Sequence, residues 1–422
     1  MLKGELLHNT SVLDELFERA VKNAQVFRNK NVLRHDYIPE KLPHREEQIR
    51  YFGEIVAPVL KRDRCSNVFI YGKTGTGKTA VIRFVLSKLL DKAQGIGVPL
   101  KMCYINCRFT GTEYRVFASL CRTLNVKVPF TGLAVGEIFD RFKTALEANS
   151  SLLIVVLDEI DELVKTRGDM LLYELTRMNE SLDRSKLSLV GISNDLRFKE
   201  LLDPRVLSSL SEEEIVFRPY NAAELHDILL ERSSLAFFEG VLSEGALGLC
   251  AALAAAEHGD ARRALDMLRV AGELVERGAT AKITNEHIRN AEKRIEHDRI
   301  IDALKNLTPH SKLVLASVYL INKANITSAI TGDIYEVYQE LCELAGYTAL
   351  TQRRVSGLIS ELDIIGLLNS RVVSMGRYGR TKKSKLSISR GLVAKVFSED
   401  ESLGHLIDYS PKCLNGGSVR KG

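Results

Sequence analysis

No stretch of this sequence approaches the ~20 consecutive apolar residues that a membrane-crossing helix needs, so no membrane association is expected. Its start, Met1-Leu2-Lys3-Gly4-Glu5, lacks the long apolar core of a secretion signal, and a cytoplasmic location is expected. Cysteine is sparse, seven residues in odd number and scattered spacing, which fits a reducing compartment and excludes a disulfide framework. Cys103 and Cys107 have no second pair near them, so they do not read as metal ligands. The net charge is only +5, and any case for nucleic acid must rest on where the charge sits. What is present is ordinary for a globular protein: 422 residues, 45% hydrophobic and 27% charged, enough for two or three domains.

The most informative stretch is residues 66–79, where Gly72-Lys73-Thr74-Gly75-Thr76-Gly77-Lys78-Thr79 follows the apolar run Val68 to Ile70 and precedes a helical pattern. Strand, glycine-rich turn and helix start form the context of a phosphate-binding loop. The glycines let successive N–H groups point inward, and the helix N-terminus adds partial positive charge. Lys78 can reach the β- and γ-phosphates of ATP or the β-phosphate of ADP, and Thr79 can ligand Mg²⁺.

Residues 1–26 read as an amphipathic helix, followed by an irregular charged stretch to residue 43. Residues 44–218 alternate strand and helix, which predicts an α/β domain with a parallel sheet. The strands are expected at 68–71, 102–106, 152–157, 188–192 and 215–217. The third is unbroken and apolar, as a doubly buried strand should be, and ends in Asp158-Glu159. Carboxylates at that end of a central strand sit where open α/β sheets bind ligands. Asp158 can hold Mg²⁺ and Glu159 can polarise the attacking water. Asn194, past the tip of the fourth strand, reads either as a plain turn residue or as a contact to the γ-phosphate. Arg205 reads either as an arginine finger for a neighbouring subunit or as a solvated loop residue. Residues 219–295 lose the strand signal, begin at Pro219-Tyr220-Asn221, and read as a compact helical unit. There Asp260 can cap a helix carrying Arg262 and Arg263, of which Arg262 is expected to face the nucleotide.

The loop, Leu157-Asp158-Glu159-Ile160-Asp161, Ile192-Ser193-Asn194, Pro204-Arg205-Val206 and Gly259 to Leu265 resemble Walker A, Walker B, sensor 1, box VII and sensor 2 of an AAA+ ATPase. Their wording is similar to archaeal replication initiators, relatives of the main subunit of the origin recognition complex and of its Cdc helicase-loading partner. Tyr37-Ile38-Pro39 and Leu42-Pro43-His44-Arg45-Glu46 are part of that likeness, which runs from about residue 10 to residue 400. The resemblance implies an adenine-side segment that includes Pro39 and Arg45, with Tyr220 in the nucleotide-binding set. It also implies that the helix expected over 110–128 occupies a DNA-touching position, although Arg115, Arg122 and Lys127 read equally well as a solvated face.

The last third is read from its layout. Helices are expected over 298–322, as one or two, and over 334–345. The stretch 350–362 predicts a helix capped by Thr351, burying Val355, Leu358, Ile359 and Leu362 and leaving Gln352, Arg353, Arg354, Ser356 and Ser360 outside. Strands at 367–374 and 385–389 flank a glycine-hinged turn with Arg377, Tyr378, Arg380, Lys382 and Lys383. From Arg371 to Lys385 there are six basic residues and no acidic one. Helix, turn, helix and basic hairpin is the layout of an α+β winged helix, expected to bind double-stranded DNA; a protein-docking module is the alternative, but it would not need this charge density. The expected division is 1–43 (N-terminal helix and adenine-side segment), 44–218 (nucleotide-binding domain), 219–295 (helical lid), 296–400 (winged helix) and 401–422 (flexible tail). With the resemblance, the whole reads as a chromosome-associated, ATP-dependent initiator. It would mark origin DNA and help load the MCM helicase, with slow hydrolysis as a switch and a related initiator or a second copy alongside. A clamp-loader-like ATPase and a nucleotide-switched transcription regulator are the alternatives.

Overall fold

The computed structural model describes residues 26–35, 37–129, 131–278, 280–374, 380–400 and 403–415. The expected N-terminal helix up to residue 25, and Arg377 and Tyr378 at the hairpin tip, lie outside the described residues. The chain forms two compact units that divide between Ala291 and Glu292.

The first unit is built on a five-stranded parallel sheet in the order β2-β3-β4-β1-β5. Its strands are β1 (Val68–Tyr71), β2 (Leu100–Asn106), β3 (Leu152–Asp158), β4 (Lys186–Ser193) and β5 (Glu213–Val216). All five fall where the sequence pattern puts them, with ends shifted by one or two residues. Every residue of β3 is buried, which is why the apolar run is unbroken. Two apolar layers, around Phe117 and Phe142 on one face and around Phe52 and Ile82 on the other, cover the sheet. Register fixes what matters for function: Tyr71 lies beside Ser193, and Asp158 lies between Asn106 and Ile192. The loop after β1, the carboxylates at the end of β3 and Asn194 after β4 therefore emerge at the same end of the strands.

After β2 come a short helix, Cys107–Thr110, and a longer one, Glu113–Thr123, capped by the Thr112 hydroxyl. The lid helices Ala222–Ala236, Ala246–Ala256 and Ala261–Gly278 complete the unit. The first begins with a reciprocal capping box between Asn221 and Glu224.

The second unit holds helices Pro309–Lys323, Thr331–Ala345, Gln352–Ile364 and Arg390–Ser398 around a three-stranded antiparallel sheet. Thr308 caps the helix that Pro309 opens, so two helices cover the stretch read as one or two. The hairpin strands are β7 (Leu368–Ser374) and β8 (Arg380–Leu386), and β6 (Ala329–Ile330) pairs with the outside of β8. Here the structure departs from the sequence reading: the second hairpin strand starts at Arg380, five residues before Lys385, where the sequence pattern begins it. A run of Arg, Thr and Lys has no apolar face to signal a strand, and pairing with both neighbours supplies the order.

The C-terminal stretch also differs from the expected tail. Leu403, Leu406 and Ile407 are buried in the second core. The Glu340 carboxylate accepts from the Tyr409 hydroxyl (2.9 Å) and from the amides of Lys412 (2.9 Å) and Cys413 (3.0 Å). Among the described residues, no helix is long and apolar enough to cross a membrane.

Candidate nucleotide site and nucleic-acid interface

One cavity in the first unit is lined by Gly75 to Thr79, by Asp158, Glu159 and Asn194, by Tyr220 and Arg262, and by Tyr37, Ile38 and Pro39. Residues drawn from widely separated parts of the sequence thus share one space. Gly75 and Gly77 have φ of +69° and +88°. A Cβ on Gly75 would fall 1.6 Å from Asp260 Oδ1, and one on Gly77 2.7 Å from the Tyr220 hydroxyl. Only glycine fits the turn this loop makes. Lys73 and Thr74 are exposed on the outer side of the loop and are not cavity walls.

Lys78 is 4% exposed and its Nζ donates to the carbonyls of Gly72 (2.6 Å) and Lys73 (2.7 Å). Burial brings its pKa down to about 8, with Arg262 adding repulsion. A cation held short of full solvation is ready for an anion.

The Asp158 carboxylate accepts from the Thr79 hydroxyl (2.9 Å) and from the Tyr104 hydroxyl. Arg83 in turn packs 4.2 Å from the Tyr104 ring centroid. A hydroxyl and a carboxylate in contact, both hard oxygen donors, suit Mg²⁺, which completes its shell with phosphate and water rather than with a protein cage. Among the described residues, no cluster of three or more His, Cys, Asp or Glu able to hold a metal is present.

Glu159 sits at φ +54°, ψ +44°, a left-handed conformation that a glutamate adopts at a cost, and it opens the helix Ile160–Arg167. Desolvation and then the neighbouring Asp158 raise its pKa, the direction that suits a proton acceptor. Asn194 is held by Asp161, buried at 4% exposure, whose Oδ1 accepts from the Asn194 amide (3.2 Å) and the Ser193 hydroxyl (3.1 Å). Asp161 lies in the quoted motif, but only the helical turn after Glu159 brings it back to the tip of β4.

On the lid side, Asp260 Oδ1 accepts from the Arg262 amide (2.8 Å) and the Arg263 amide (3.4 Å), the cap that the sequence suggests. Arg262 lines the cavity, whereas Arg263 pairs with Glu257. Arg45 has a different setting from the one the resemblance implies. It is 4% exposed and off the cavity wall; its guanidinium donates to the carbonyls of Thr76 (3.0 Å), His44 (2.9 Å) and Arg218 (2.8 Å) and stacks 3.8 Å from the Tyr220 ring centroid. It braces the loop and Tyr220. Arg205 is outside the cavity, exposed, and chelated by Asp203 at 3.1 and 3.3 Å. Tyr104, Arg83 and Arg232 also line or support the cavity. Nothing local in the sequence marks them, since each acts across the fold.

The second unit carries the candidate nucleic-acid interface. The helix Gln352–Ile364 is capped by Thr351 and buries Val355, Leu358, Ile359 and Leu362, the face read from the sequence. Gln352, Arg353 and Ser356 share a groove with Arg380 and Lys382. Arg354 is turned away, paired with Glu361 at 3.2 Å two helical turns on. Lys382 is tied down, donating to the Ser356 carbonyl (2.9 Å) and to the Ser360 hydroxyl. Lys383 is half-buried on β8 beside Arg371.

With this geometry in place, comparison with known proteins is informative. The AAA domain family model matches residues 61–199, the Cdc6 AAA+ ATPase-type lid domain matches 226–293, and the CDC6 C-terminal winged helix domain matches 302–396. The chain is 48% identical to an ORC1-type DNA replication protein of Pyrococcus abyssi over 424 residues, covering 100% of both. It is 49% identical to an ORC1-type DNA replication protein 1 of Archaeoglobus fulgidus, covering 93% of this chain and 95% of the relative. The structure is similar to that of the Aeropyrum pernix ORC1 protein, solved in complex with DNA: TM-score 0.83 and 48% identity, covering 91% of this chain and 99% of the other.

Fold and cavity together define an AAA+ nucleotide-binding domain with a helical lid, followed by a winged helix. The chain belongs to the ORC1-type DNA replication protein family.

Proposed function

We propose that this protein is an ATP-dependent initiator that binds double-stranded origin DNA and helps load the MCM helicase. The carrying observation is the pairing, in one chain, of a phosphate-binding cavity closed by a lid arginine with a basic helix-and-wing groove. The DNA complex of the 48% identical Aeropyrum protein supports the second half of that reading.

Loop amides and Lys78 bind the phosphates, and Arg262 approaches the γ-phosphate from the lid. Thr79 and Asp158 would hold Mg²⁺, which would supply screening of the phosphate charge and polarisation of the phosphoryl group. Glu159 takes a proton from the attacking water, and Asn194, whose backbone amide Asp161 holds, orients that water. Arg205 lies outside the cavity of its own chain, so it serves the site of a second copy or a related initiator. A lone chain then hydrolyses slowly, and the nucleotide acts as a timer rather than a fuel. In the winged helix, Gln352, Arg353 and Ser356 meet base edges, and Arg377, Tyr378, Arg380 and Lys383 meet the DNA backbone or the adjacent minor groove. The protein works in the cytoplasm, on the chromosome.

Genome-wide crosslinking, compared with mapped replication starts, tests the reading. A few sharp peaks at replication starts are expected. Peaks spread over promoters, or none, would overturn it.

A further inference from the structure

Arg232, on the lid helix Ala222–Ala236, is charged yet only 7% exposed. Its Nη1 donates to the Val32 carbonyl at 3.1 Å and its Nη2 to the Tyr37 carbonyl at 3.3 Å. The guanidinium also stacks 4.6 Å from the Tyr37 ring centroid. Burial holds its pKa below the ordinary arginine value. An apolar side chain would fill this place without the desolvation cost, so what the guanidinium adds is geometry: two forked donors fixing one backbone segment. That segment continues into Ile38 and Pro39, which line the cavity, and Arg232 and Ile228 line it from the lid. A second tie, His44 Nε2 to Asp227 Oδ2 at 2.9 Å, joins the far end of the same segment to the same helix.

We propose that Arg232 is the positioning residue that shapes residues 32–35 and 37–39 into the wall receiving the nucleotide base, and that through it the lid helix senses whether a base is present. The inference rests on the reading of the cavity as a nucleotide site. It makes the base wall a part of the lid rather than of the sheet domain. A ligand with phosphates but no base would engage the loop and leave this linkage unused.

The test compares ATP with tripolyphosphate, which has the phosphates and no base, by calorimetry on the full chain with Arg232→Met and Arg232→Lys. Losing two buried hydrogen bonds should weaken ATP binding about tenfold in Arg232→Met, with tripolyphosphate unchanged within about twofold. Arg232→Lys keeps the charge and one donor at a time, and should recover part of the loss, a graded rescue that a general packing defect would not give. Should the methionine variant fail to fold, the ATP-to-tripolyphosphate ratio of Arg232→Lys alone decides. Equal weakening of both ligands, or an unchanged ratio, overturns the assignment. Wild-type protein that binds neither ligand overturns instead the nucleotide reading on which it rests.

Discussion

The amide of Ala261, first residue of a lid helix, donates to the carbonyl of Gly75 in the phosphate-binding loop at 3.1 Å. The Asp260 carboxylate lies where a Gly75 side chain would begin. Loop and lid therefore touch directly, and the contact leaves no room for a methyl group. Gly75→Ala should cost about 1–3 kcal/mol from the left-handed backbone alone and should push Asp260 off its cap. A melting temperature lowered by several degrees, with ATP affinity lost, is the expected outcome. An unchanged melting curve would mean that the loop and lid are not in contact in solution.

Lys78 gives a pH signature. Its pKa is brought down to about 8 by burial, and a bound triphosphate favours the charged form and raises it again. Binding then takes up a proton. Affinity is full below pH 8 and falls above it by up to about tenfold per pH unit, because the free protein gives up a proton that the complex retains. Titrations at pH 8 in buffers of different ionisation heat should report proton uptake. Equal affinity at pH 7 and pH 9 would remove Lys78 from the phosphates.

Glu159 should separate binding from hydrolysis. Glu159→Gln keeps the side-chain shape and removes the proton acceptor, so ATP affinity should stay within about twofold while single-turnover hydrolysis falls at least ~100-fold. Because the Glu159 pKa is raised, the ascending limb of the wild-type pH–rate profile should sit above the ordinary carboxylate range. Unchanged turnover in the glutamine variant would place the proton acceptor elsewhere.

The groove in the winged helix ranks its own basic residues. Arg353 and Arg380 line it, whereas Arg354 is paired with Glu361 and Lys382 is bound to the helix. Arg380→Ala should lower the salt slope of DNA binding by about one, as the loss of one phosphate contact does. Arg353→Ala should cost about 1–3 kcal/mol and relax preference at one base pair, and Arg354→Ala should do little. Fluorescence anisotropy across a salt series checks the order. An Arg354→Ala effect larger than that of Arg353→Ala would reverse the orientation of this helix on DNA.

Much of this architecture is legible in the sequence because it is local. The loop, the buried β3 strand with its two carboxylates, the Asp260 and Thr351 caps and the apolar face of the 352–364 helix all follow from spacing within a dozen residues. What escaped the reading is set by pairing across the fold. No local pattern says that Arg45 will donate to three carbonyls, that Tyr104 will meet Asp158 from the next strand, or that Lys382 will reach back to Ser356. The Arg354–Glu361 pair was within reach of helical spacing, since seven residues are two turns. Strand β8 and the packed segment 403–413 carry too little apolar alternation to announce themselves, and partners elsewhere in the unit order them.

The brace made by Arg45 has a kinetic consequence. A loop already tied to His44, Arg218 and Tyr220 has no large ordering cost left to meet when a nucleotide arrives, so capture should run near the rate that encounter allows. Discrimination is then left to departure, and the lid contacts at Gly75 and Tyr37 become the ones that set how long a nucleotide stays.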